Sequence, residues 1–367
     1  MPVYINHIGT ANPENKILQQ KIGEFMARVQ GMDDNERRQL KVLYRASGIK
    51  SRYTVLKDYA REHGEFDFYA NTPDMEPFPS VGSRMRIYEK EALDLSIRSI
   101  QNTVPEDFNY QEVTHLVTVS CTGMYAPGLD IELVEKLGLA THVKRTAICF
   151  MGCYAAFNAL KTAYQICHAE PNAKVLVVCV ELCTLHFQRE KDDDNLLANA
   201  LFGDGAASLL VSGEMTEGIN LSLDNFYNDL AFQGKKEMAW HIHDSGFQMR
   251  LTSMVPTIIQ DGISQLTQNL LSFLQMTLRD ISFYAIHPGG KRILKVIEEV
   301  LGLSTDDNRY AYEVMREYGN MSSPTVLFVL KEMLRDLGPK DEGKSVLSFA
   351  FGPGLTLESM LLTIHHR

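Results

Sequence analysis

Cys153 lies where a short apolar segment, a glycine and a helical pattern follow one another. Residues 147–151 (AICFM) predict a buried strand, Gly152 a permissive turn, and the apolar spacing of residues 153–166 a helix. A cysteine at a helix N-terminus meets unpaired backbone N–H groups and the positive end of the helix dipole, which stabilise a thiolate. Such a cysteine can be a nucleophile near neutral pH. It can equally be a small buried hydrophobic side chain at a strand–helix junction.

Two more residues with useful chemistry, His287 and Asn320, stand in the second half of the chain. His287 ends an apolar segment and precedes Pro-Gly-Gly, a rigid turn that fixes the direction of the side chain. Asn320 lies in a turn before a helical pattern. The simpler interpretations are a hydrogen-bonded core histidine and a helix N-cap before residues 321–323.

The order of elements around these residues repeats along the chain. In the second half, residues 282–290, 318–334, 345–352 and 355–364 match, in order, the strand ending at Cys121, the turn and helix at Cys153, the strand 174–181 and the strand 206–213. This self-similarity predicts an α/β fold of two duplicated halves, residues 1–218 and 219–367. Strand ends of the two halves are expected to meet, which would bring Cys153, His287 and Asn320 together.

Together these side chains suit acyl transfer through a thioester. His287 can pair with the Cys153 thiolate, and Asn320 is a neutral hydrogen-bond donor. With Nε2 of His287, the Asn320 amide could hold the oxygen of an enolate or of a tetrahedral intermediate. The pattern therefore favours a condensing or acyl-transfer enzyme.

The remaining elements follow from periodicity and turn residues. The sequence predicts a strand over Val3–Ile8, a helical segment over residues 15–46, an ordered loop over residues 61–85, a helix over residues 86–102, and a strand over residues 115–123.

Composition excludes several classes of function. The net charge of −10 argues against non-specific nucleic-acid binding. The N-terminus lacks a signal-peptide pattern and no long apolar run is present, so a soluble cytoplasmic protein is expected, with its six cysteines reduced. The spacing of the cysteines, and of His241 and His243, does not predict a metal site.

A basic cluster interrupts this acidic background. Arginines and lysines recur between Glu36 and Lys57. They form either a solvated helix face or a mouth that attracts a phosphorylated small molecule.

Short motifs throughout the chain carry a family resemblance. Between about Gly48 and Thr363 stand GIKSRY, APGLD, GLATHVKR, MGCYA, KVLVVCVE, LFGDGAASL, HPGG, YGNMSS and FGPGLTLE. With these motifs the chain resembles the type III polyketide synthases, the chalcone and stilbene synthase-like family of the thiolase superfamily, and looks like a bacterial-type member. The resemblance implies a five-layered αβαβα thiolase fold and a homodimer. It also implies iterative decarboxylative condensation of malonyl-CoA onto a starter acyl-CoA, with no cofactor and no acyl carrier protein.

The resemblance also implies roles for individual residues. Cys153 matches the nucleophile that holds the acyl chain, and His287 and Asn320 match the pair that supports decarboxylation. Phe202 matches a gatekeeper between the CoA tunnel and the cavity. Further matches to the substrate site are Pro353 and Ser322, and matches to CoA-phosphate contacts are Lys50 and Arg52.

Departures from the plant members concern the cavity. Met249 replaces a second gatekeeping phenylalanine, and Trp240 replaces a glycine. Cavity threonines are replaced by Cys121, Cys183 and His186, a methionine that reaches across the dimer by Ala126, and a glycine before the FGPG turn by Ala350. Inward-pointing Trp240 and His186 would shrink the cavity, favouring a small starter or few extensions. Ala126, Cys121 and Met249 could instead open another direction, such as an acyl tunnel. Trp240 could instead be structural in a rearranged loop, and His186 could fill space or act as an acid or base in ring closure.

Two other functions remain open from the sequence. One is a ketoacyl carrier-protein synthase or hydroxymethylglutaryl-CoA synthase, against which HPGG and FGPGL argue. The other is a non-catalytic acyl-CoA-binding homologue, which the intact Cys153, His287 and Asn320 disfavour. The sequence leaves open the starter and a pyrone, resorcinol or phloroglucinol-type product.

Overall fold

A computed structural model describes all residues from Met1 to Arg367. Its strands are β1 (Tyr4–Ala11), β2 (Asn15–Leu18), β3 (Ser51–Thr54), β4 (His115–Ser120), β5 (Lys144–Cys149), β6 (Lys174–Leu182), β7 (Asp204–Ser212), β8 (Ile219–Leu230), β9 (Met238–His243), β10 (Gly246–Leu251), β11 (Ile281–Ile286), β12 (Ser345–Gly352) and β13 (Thr356–His366). Its helices are α1 (Gln19–Val29), α2 (Asp34–Ala46), α3 (Val81–Gln101), α4 (Leu129–Leu137), α5 (Ala155–Ala169), α6 (Asp193–Leu201), α7 (Val255–Phe273), α8 (Lys291–Leu301), α9 (Arg309–Tyr318) and α10 (Thr325–Leu334).

Nine strands form one mixed sheet whose two halves mirror each other. The order is β11-β12-β13-β8-β1-β7-β6-β4-β5, and β1 and β8 join the halves by a short antiparallel ladder at Tyr4 and Ile5. Outward from this join, β8-β13-β12-β11 repeats β1-β7-β6-β4. The strands predicted to correspond between the halves therefore take equivalent places in the sheet.

Helices cover both faces of each half and give five layers. The related helices α5 and α10 pack between the halves. α5 packs against β4, β6 and β7, and α10 packs against β1 and β11. α3 covers the outer face of the first half, and α7 covers β8 and β13. The larger hydrophobic core joins α5, α10, α7 and the second-half strands, and a smaller one lies beneath α1, α3 and α4. This arrangement confirms the expected duplicated α/β fold.

The predicted helix over residues 15–46 is wrong at its start and in its middle. Residues Asn15–Leu18 form β2, which pairs with β3. The chain then breaks between α1 and α2, where Gly31 has a φ of 57° and Asp33 accepts hydrogen bonds from the N–H groups of Asn35 and Glu36. This capping box starts a new helix. The helix predicted from residue 86 begins earlier, at Val81, after the N-cap Ser80.

The strand before the cysteine turn also differs from its prediction. β5 ends at Cys149, and Phe150 leaves the strand with a φ of 58°. β5 is the edge of the sheet and pairs only with β4, so most of its residues are exposed in the single chain. The predicted burial fails because one side of β5 has no neighbour.

A separate hairpin, β9–β10, lies beside the sheet and carries two of the predicted site residues. Trp240 on β9 is directly opposite Met249 on β10. His241 and His243 lie on the exposed part of β9. No helix of the structure has the length and apolar character needed to cross a membrane.

Candidate active site

Cys153 is held in a tight turn at the start of α5. Gly152 has a φ of 77°, and residues Gly152–Tyr154 form a single 3-10 turn that leads into the helix. A side chain at Gly152 would collide with the ring of Pro353, which comes from the turn after β12. The glycine therefore serves both the left-handed backbone and the contact between the halves. Cys153 is 8% exposed.

Asn320 reaches the same point from the second half. Its Nδ2 and its Oδ1 each lie 3.9 Å from Sγ of Cys153. The N–H of Ser322 donates to Oδ1 at 2.8 Å, which leaves Nδ2 directed toward the sulfur and the carbonyl of Gly289. The bond from Ser322 identifies Oδ1 as the acceptor, so Nδ2 is the donor that the amide offers beside the sulfur, at the same distance as Oδ1.

His287 follows β11 and has no hydrogen-bond partner for either ring nitrogen, although it is only 1% exposed. Its backbone N–H is fixed by the carbonyl of Phe349 at 2.8 Å. Buried polar groups are nearly always hydrogen-bonded, so a buried imidazole with two unpaired nitrogens is a candidate functional group.

These three side chains line one narrow, mostly apolar cavity. Its empty volume is about 630 Å³, including the part open to solvent. The other lining residues are Cys121, Thr122, Gly152, Cys183, Phe202, Met238, Trp240, Met249, Leu251, Gly289, Ile293, Ser322, Phe351 and Pro353.

Burial disfavours charge on both reactive groups. It raises the pKa of the Cys153 thiol to about 11 and lowers the pKa of His287 to about 3. Desolvation penalises the charged form in each case, so the buried site favours a neutral thiol and a neutral imidazole. The ion pair expected from the sequence has to form against this burial.

Most of the predicted substrate residues meet at the cavity. Phe202, Cys121, Cys183, Met249, Pro353, Ser322 and Trp240 all line it. Trp240 points inward, and its Nε1 donates to the carbonyl of Cys121 at 2.8 Å. Its indole therefore takes up space beside the nucleophile. The Cys121 sulfur accepts the N–H of Gly152 at 2.9 Å, so it supports the cysteine turn.

His186 does not line this cavity and is fully engaged elsewhere. Its Nε2 donates to the carbonyl of Thr122 at 2.7 Å, and its Nδ1 accepts the N–H of Phe247 at 3.0 Å. The ring also stacks on Phe247, and burial lowers its pKa to about 3. With both nitrogens occupied, the position of His186 fits the space-filling alternative and not that of an acid or base in ring closure.

A second small compartment lies behind the cavity wall. Cys183, Phe202, Trp240 and Met249 border both spaces, and His186 lies on the far side. The cross-strand pair of Trp240 and Met249 therefore helps to divide them.

The two predicted CoA contacts have different environments. Lys50 is exposed, pairs with Glu317 at 3.2 Å, and lines a surface groove between α1 and α2 with Arg37, Lys41 and Arg45. Arg52 is 2% exposed and bonded to interior groups, so a contact with a phosphate at the surface does not fit its position.

Lys291 and Arg292 are basic residues that the sequence reasoning missed. They line a groove that shares Leu251, Gly289 and Ile293 with the cavity. The groove that Lys50 lines has no lining residue in common with the cavity. Their position directly after HPGG was the available signal.

Glu181 is a second omission. This fully buried carboxyl accepts hydrogen bonds from Thr122 Oγ1 at 2.8 Å, Ser323 Oγ at 2.6 Å and the N–H of Cys121 at 2.9 Å. Burial raises its pKa. Two of its partners, Cys121 and Thr122, line the cavity, so Glu181 fixes this part of the cavity wall. The predicted departures Ala126 and Ala350 lie apart from the cavity, Ala126 on the surface and Ala350 buried within β12.

Comparison with protein families covers almost the whole chain. Residues 2–214 match the N-terminal domain of chalcone and stilbene synthases, and residues 223–365 match the C-terminal domain.

Individual relatives agree with these matches. An alpha-pyrone synthesis polyketide synthase-like protein, Pks18, of Mycobacterium tuberculosis is 28% identical over 99% of this chain and 91% of its own length. A putative chalcone synthase of Bacillus subtilis is 30% identical over 98% of each chain.

Solved structures agree as well. PKS-I from the brown alga Ectocarpus siliculosus superposes with a TM-score of 0.90 at 29% identity, covering 99% of this chain and 98% of its own. The C-terminal type III polyketide synthase domain of Steely1 from Dictyostelium gives a TM-score of 0.87 at 26% identity, covering 99% of each chain.

Proposed function

The chain belongs to the chalcone and stilbene synthase family of type III polyketide synthases, and on that premise we propose that Cys153, His287 and Asn320 are its catalytic residues. Cys153 holds the growing acyl chain, and the other two support decarboxylation of malonyl-CoA. The observation that carries the proposal is the Asn320 amide, fixed 3.9 Å from the Cys153 sulfur in a cavity where His287 has no partner.

The first step is thioester exchange. Sγ of Cys153 attacks the carbonyl of the starter acyl-CoA, the bond from that carbonyl to the CoA sulfur breaks, and CoA leaves as a thiol. The Cys153 proton passes through the neutral imidazole of His287 to the leaving sulfur, since this imidazole is the free base in the cavity. Neither group then has to carry an isolated charge in an apolar site.

The second step is decarboxylation and condensation. The bond between the malonyl carboxylate and the methylene carbon breaks, CO₂ leaves, and its electron pair forms an enolate of acetyl-CoA. Nδ2 of Asn320 and Nε2–H of neutral His287 donate to the enolate oxygen. The enolate carbon then attacks the acyl-Cys153 carbonyl, and the bond to Sγ breaks. The low pKa of His287 suits this role, because a neutral donor needs no compensating charge.

Substrate access is proposed to follow the groove that joins the cavity at Leu251, Gly289 and Ile293. Lys291 and Arg292 on its rim would contact CoA phosphates. Lys50 is proposed as an additional contact at the neighbouring basic groove. The substrates are CoA thioesters, with no cofactor and no acyl carrier protein.

Cavity shape is proposed to favour a small starter or few extensions. The inward indole of Trp240 narrows the space beside Cys153. Met249, directly opposite on β10, lies next to this indole and also lines the cavity. Phe202 is proposed as the gate between tunnel and cavity. Cyclisation to a pyrone, resorcinol or phloroglucinol-type product would follow.

The protein is proposed to be a cytoplasmic homodimer with its two thiolase-like halves divided between residues 218 and 219. The exposed edge strand β5 offers unpaired backbone groups and leads directly to the Cys153 turn. Ala126 is also exposed in the single chain. Light scattering behind a sizing column would return a monomer mass if the dimer proposal is wrong.

The decisive experiment is incubation with malonyl-CoA and starter thioesters ranging from acetyl to long-chain and aromatic, with products read by mass spectrometry. Polyketide products from one starter class are expected. Condensation only with carrier-bound malonate would instead place the enzyme with the carrier-protein synthases. If none of the thioesters acylates Cys153, the protein would instead be a non-catalytic acyl-CoA-binding homologue.

A further inference from the structure

The buried arginine of β3 holds the end of the helix that leads to the gate. Nη1 of Arg52 donates to the backbone carbonyl of Phe202, and Nε donates to Oε1 of Gln19 at 2.8 Å. Nε2 of Gln19 donates in turn to the carbonyl of Ala200 at 2.7 Å. These carbonyls lie at the C-terminal end of α6, where the last carbonyl groups have no N–H partner within the helix and the helix dipole is negative. A cation and an amide therefore complete this helix end.

The same stretch of backbone is paired with the turn that carries the proposed enolate donor. The N–H of Gly203 donates to the carbonyl of Asn320, and the N–H of Asn320 donates to the carbonyl of Leu201, both at 2.9 Å. These bonds form an isolated parallel bridge. The backbone of Phe202 and the Asn320 turn are therefore held directly against each other.

Arg52 also contacts that turn directly. A Cβ atom at Gly319 would lie 2.9 Å from both Cγ and Cδ of Arg52, so the arginine stem and the glycine are in close contact. One side chain therefore touches the backbone of Phe202 with its guanidinium and the residue before Asn320 with its stem.

We propose that Arg52, assisted by Gln19, is a positioning residue that sets the place of both Phe202 and the Asn320 amide. The inference rests on the proposed function for the roles of Phe202 and Asn320. A planar guanidinium can hold two acceptors at a fixed angle, which a lysine ammonium cannot do. Two residues earlier, Lys50 faces solvent, so the two basic residues of GIKSRY have separate tasks.

Decarboxylation of two substrates tests the proposal. Malonyl-CoA carries the phosphates, and malonyl-N-acetylcysteamine lacks them. For Arg52→Met, kcat is expected to fall about 10- to 100-fold with both substrates, because a small misplacement of a catalytic group has that scale of effect. KM should change little. A rise in KM for malonyl-CoA alone, with unchanged turnover of the N-acetylcysteamine thioester, would make Arg52 a phosphate ligand and overturn the proposal.

Three further variants distinguish a loss of positioning in Arg52→Met from the loss of a charge and from a loss of stability. Gln19→Met should lower kcat in the same direction by a smaller factor, and Arg52→Lys should not restore the wild-type value. Arg84 is a matched control, because it is also fully buried and also donates to a backbone carbonyl, that of Leu185. Arg84→Met should destabilise the protein yet keep decarboxylation. Equal losses of kcat in Arg84→Met and Arg52→Met would refute a specific role. If Arg52→Met does not fold, Gln19→Met decides by the same two substrates.

Hydrogen exchange gives a readout that does not depend on activity. In Arg52→Met or Gln19→Met, peptides spanning residues 199–204 and 318–321 should exchange faster than in the wild type, whereas Arg84→Met should leave both unchanged. Unchanged exchange in both segments would contradict the positioning role. A wild type that never decarboxylates malonyl thioesters, with faster exchange in the variants, would mean that the proposed function fails while the positioning role of Arg52 stands.

Discussion

The turns that carry Cys153 and Asn320 occupy equivalent places in the two halves, yet they present different chemistry. Each functional residue follows a glycine in the left-handed region, Gly152 at a φ of 77° and Gly319 at 71°. After Cys153 the helix begins almost at once, at Ala155, so the cysteine lies at its N-terminal end. After Asn320 the chain makes a further bend, where Ser322 has a φ of 58° and returns its N–H to the asparagine side chain.

Each turn is braced by the opposite half. Pro353, from the second half, packs on Gly152, and the backbone of Phe202 and Gly203, from the first half, pairs with Asn320. Duplication therefore supplied two equivalent positions, and local bends turned one into a nucleophile holder and the other into a donor holder. Neither half contains the whole site.

The largest difference between the two turns is expected from Cys153→Ala, which removes the nucleophile and leaves the donor turn unchanged. Without the sulfur no acyl-enzyme forms, so loading and product should both be lost, while malonyl-CoA is still decarboxylated because the donor turn is intact. Peptide mass spectrometry and product analysis check this. Cys167→Ala is the matched control, since Cys167 is buried in the core away from the cavity. Full turnover by Cys153→Ala would mean that another nucleophile is used.

The complementary change is Asn320→Ala. Removing one preorganised donor typically costs about 10²- to 10³-fold in rate, so decarboxylation should fall by that factor while loading of Cys153 falls less. His287→Ala should reduce both loading and decarboxylation, because the imidazole carries the Cys153 proton in the first step and donates to the enolate oxygen in the second. Asn308→Ala serves as the control, because this buried asparagine bonds to Glu298 outside the site. A larger loss in loading than in decarboxylation would reverse the assigned roles of the two turns.

The pH dependence of alkylation tests the resting state of the cysteine turn. Because burial raises the pKa of Cys153 to about 11, the thiol stays protonated through neutral pH. Its reaction with iodoacetamide should then accelerate about tenfold per pH unit from about pH 6 to pH 9, since only the thiolate reacts. The rate is read on the peptide that contains Cys153. A rate already constant from pH 6 would reveal a preformed ion pair with His287.

Gly152→Ala tests the brace between the halves. The new methyl group would have an unfavourable φ and collide with Pro353, so unfolding by denaturant should show a loss larger than the roughly 1–3 kcal/mol of backbone strain alone. Gly138→Ala isolates the backbone effect, because Gly138 has a φ of 65° with no atom near its missing Cβ. Equal losses in the two variants would show that contact with Pro353 contributes nothing.

The sequence predicts local order well and distant neighbours poorly. The strand, glycine and helix around Cys153 follow from periodicity, and the internal repeat identified His287 and Asn320 as its companions in the cavity. The burial of Arg52 could not be predicted, because its partners include a helix end about 150 residues away. The exposure of β5 could not be predicted either, because apolar residues at a sheet edge look like those of an inner strand. His186 lies behind the cavity because contacts with Thr122 and Phe247, from distant elements, capture both its nitrogens.

The smallest expected change is Trp240→Gly, which leaves both turns in place and alters only the wall beside them. Loss of the indole should join the cavity to the compartment behind it, so larger starters or longer products are expected with little change in decarboxylation. The starter panel and product masses measure this. Phe232→Gly removes an exposed aromatic residue and is the control. An unchanged starter range and product length in Trp240→Gly would show that the indole does not limit the cavity.

The most direct test of the central claim, that the two turns act on one acyl chain, is a chase experiment on the wild-type enzyme. The protein is loaded with an isotope-labelled starter, malonyl-CoA is added, and the peptide containing Cys153 is followed by mass spectrometry. The label should first appear on Cys153 and then grow by two-carbon units before it leaves as product. A label that stays unextended on Cys153 while malonyl-CoA is decarboxylated would show that the enolate never reaches the cysteine, and would contradict the account.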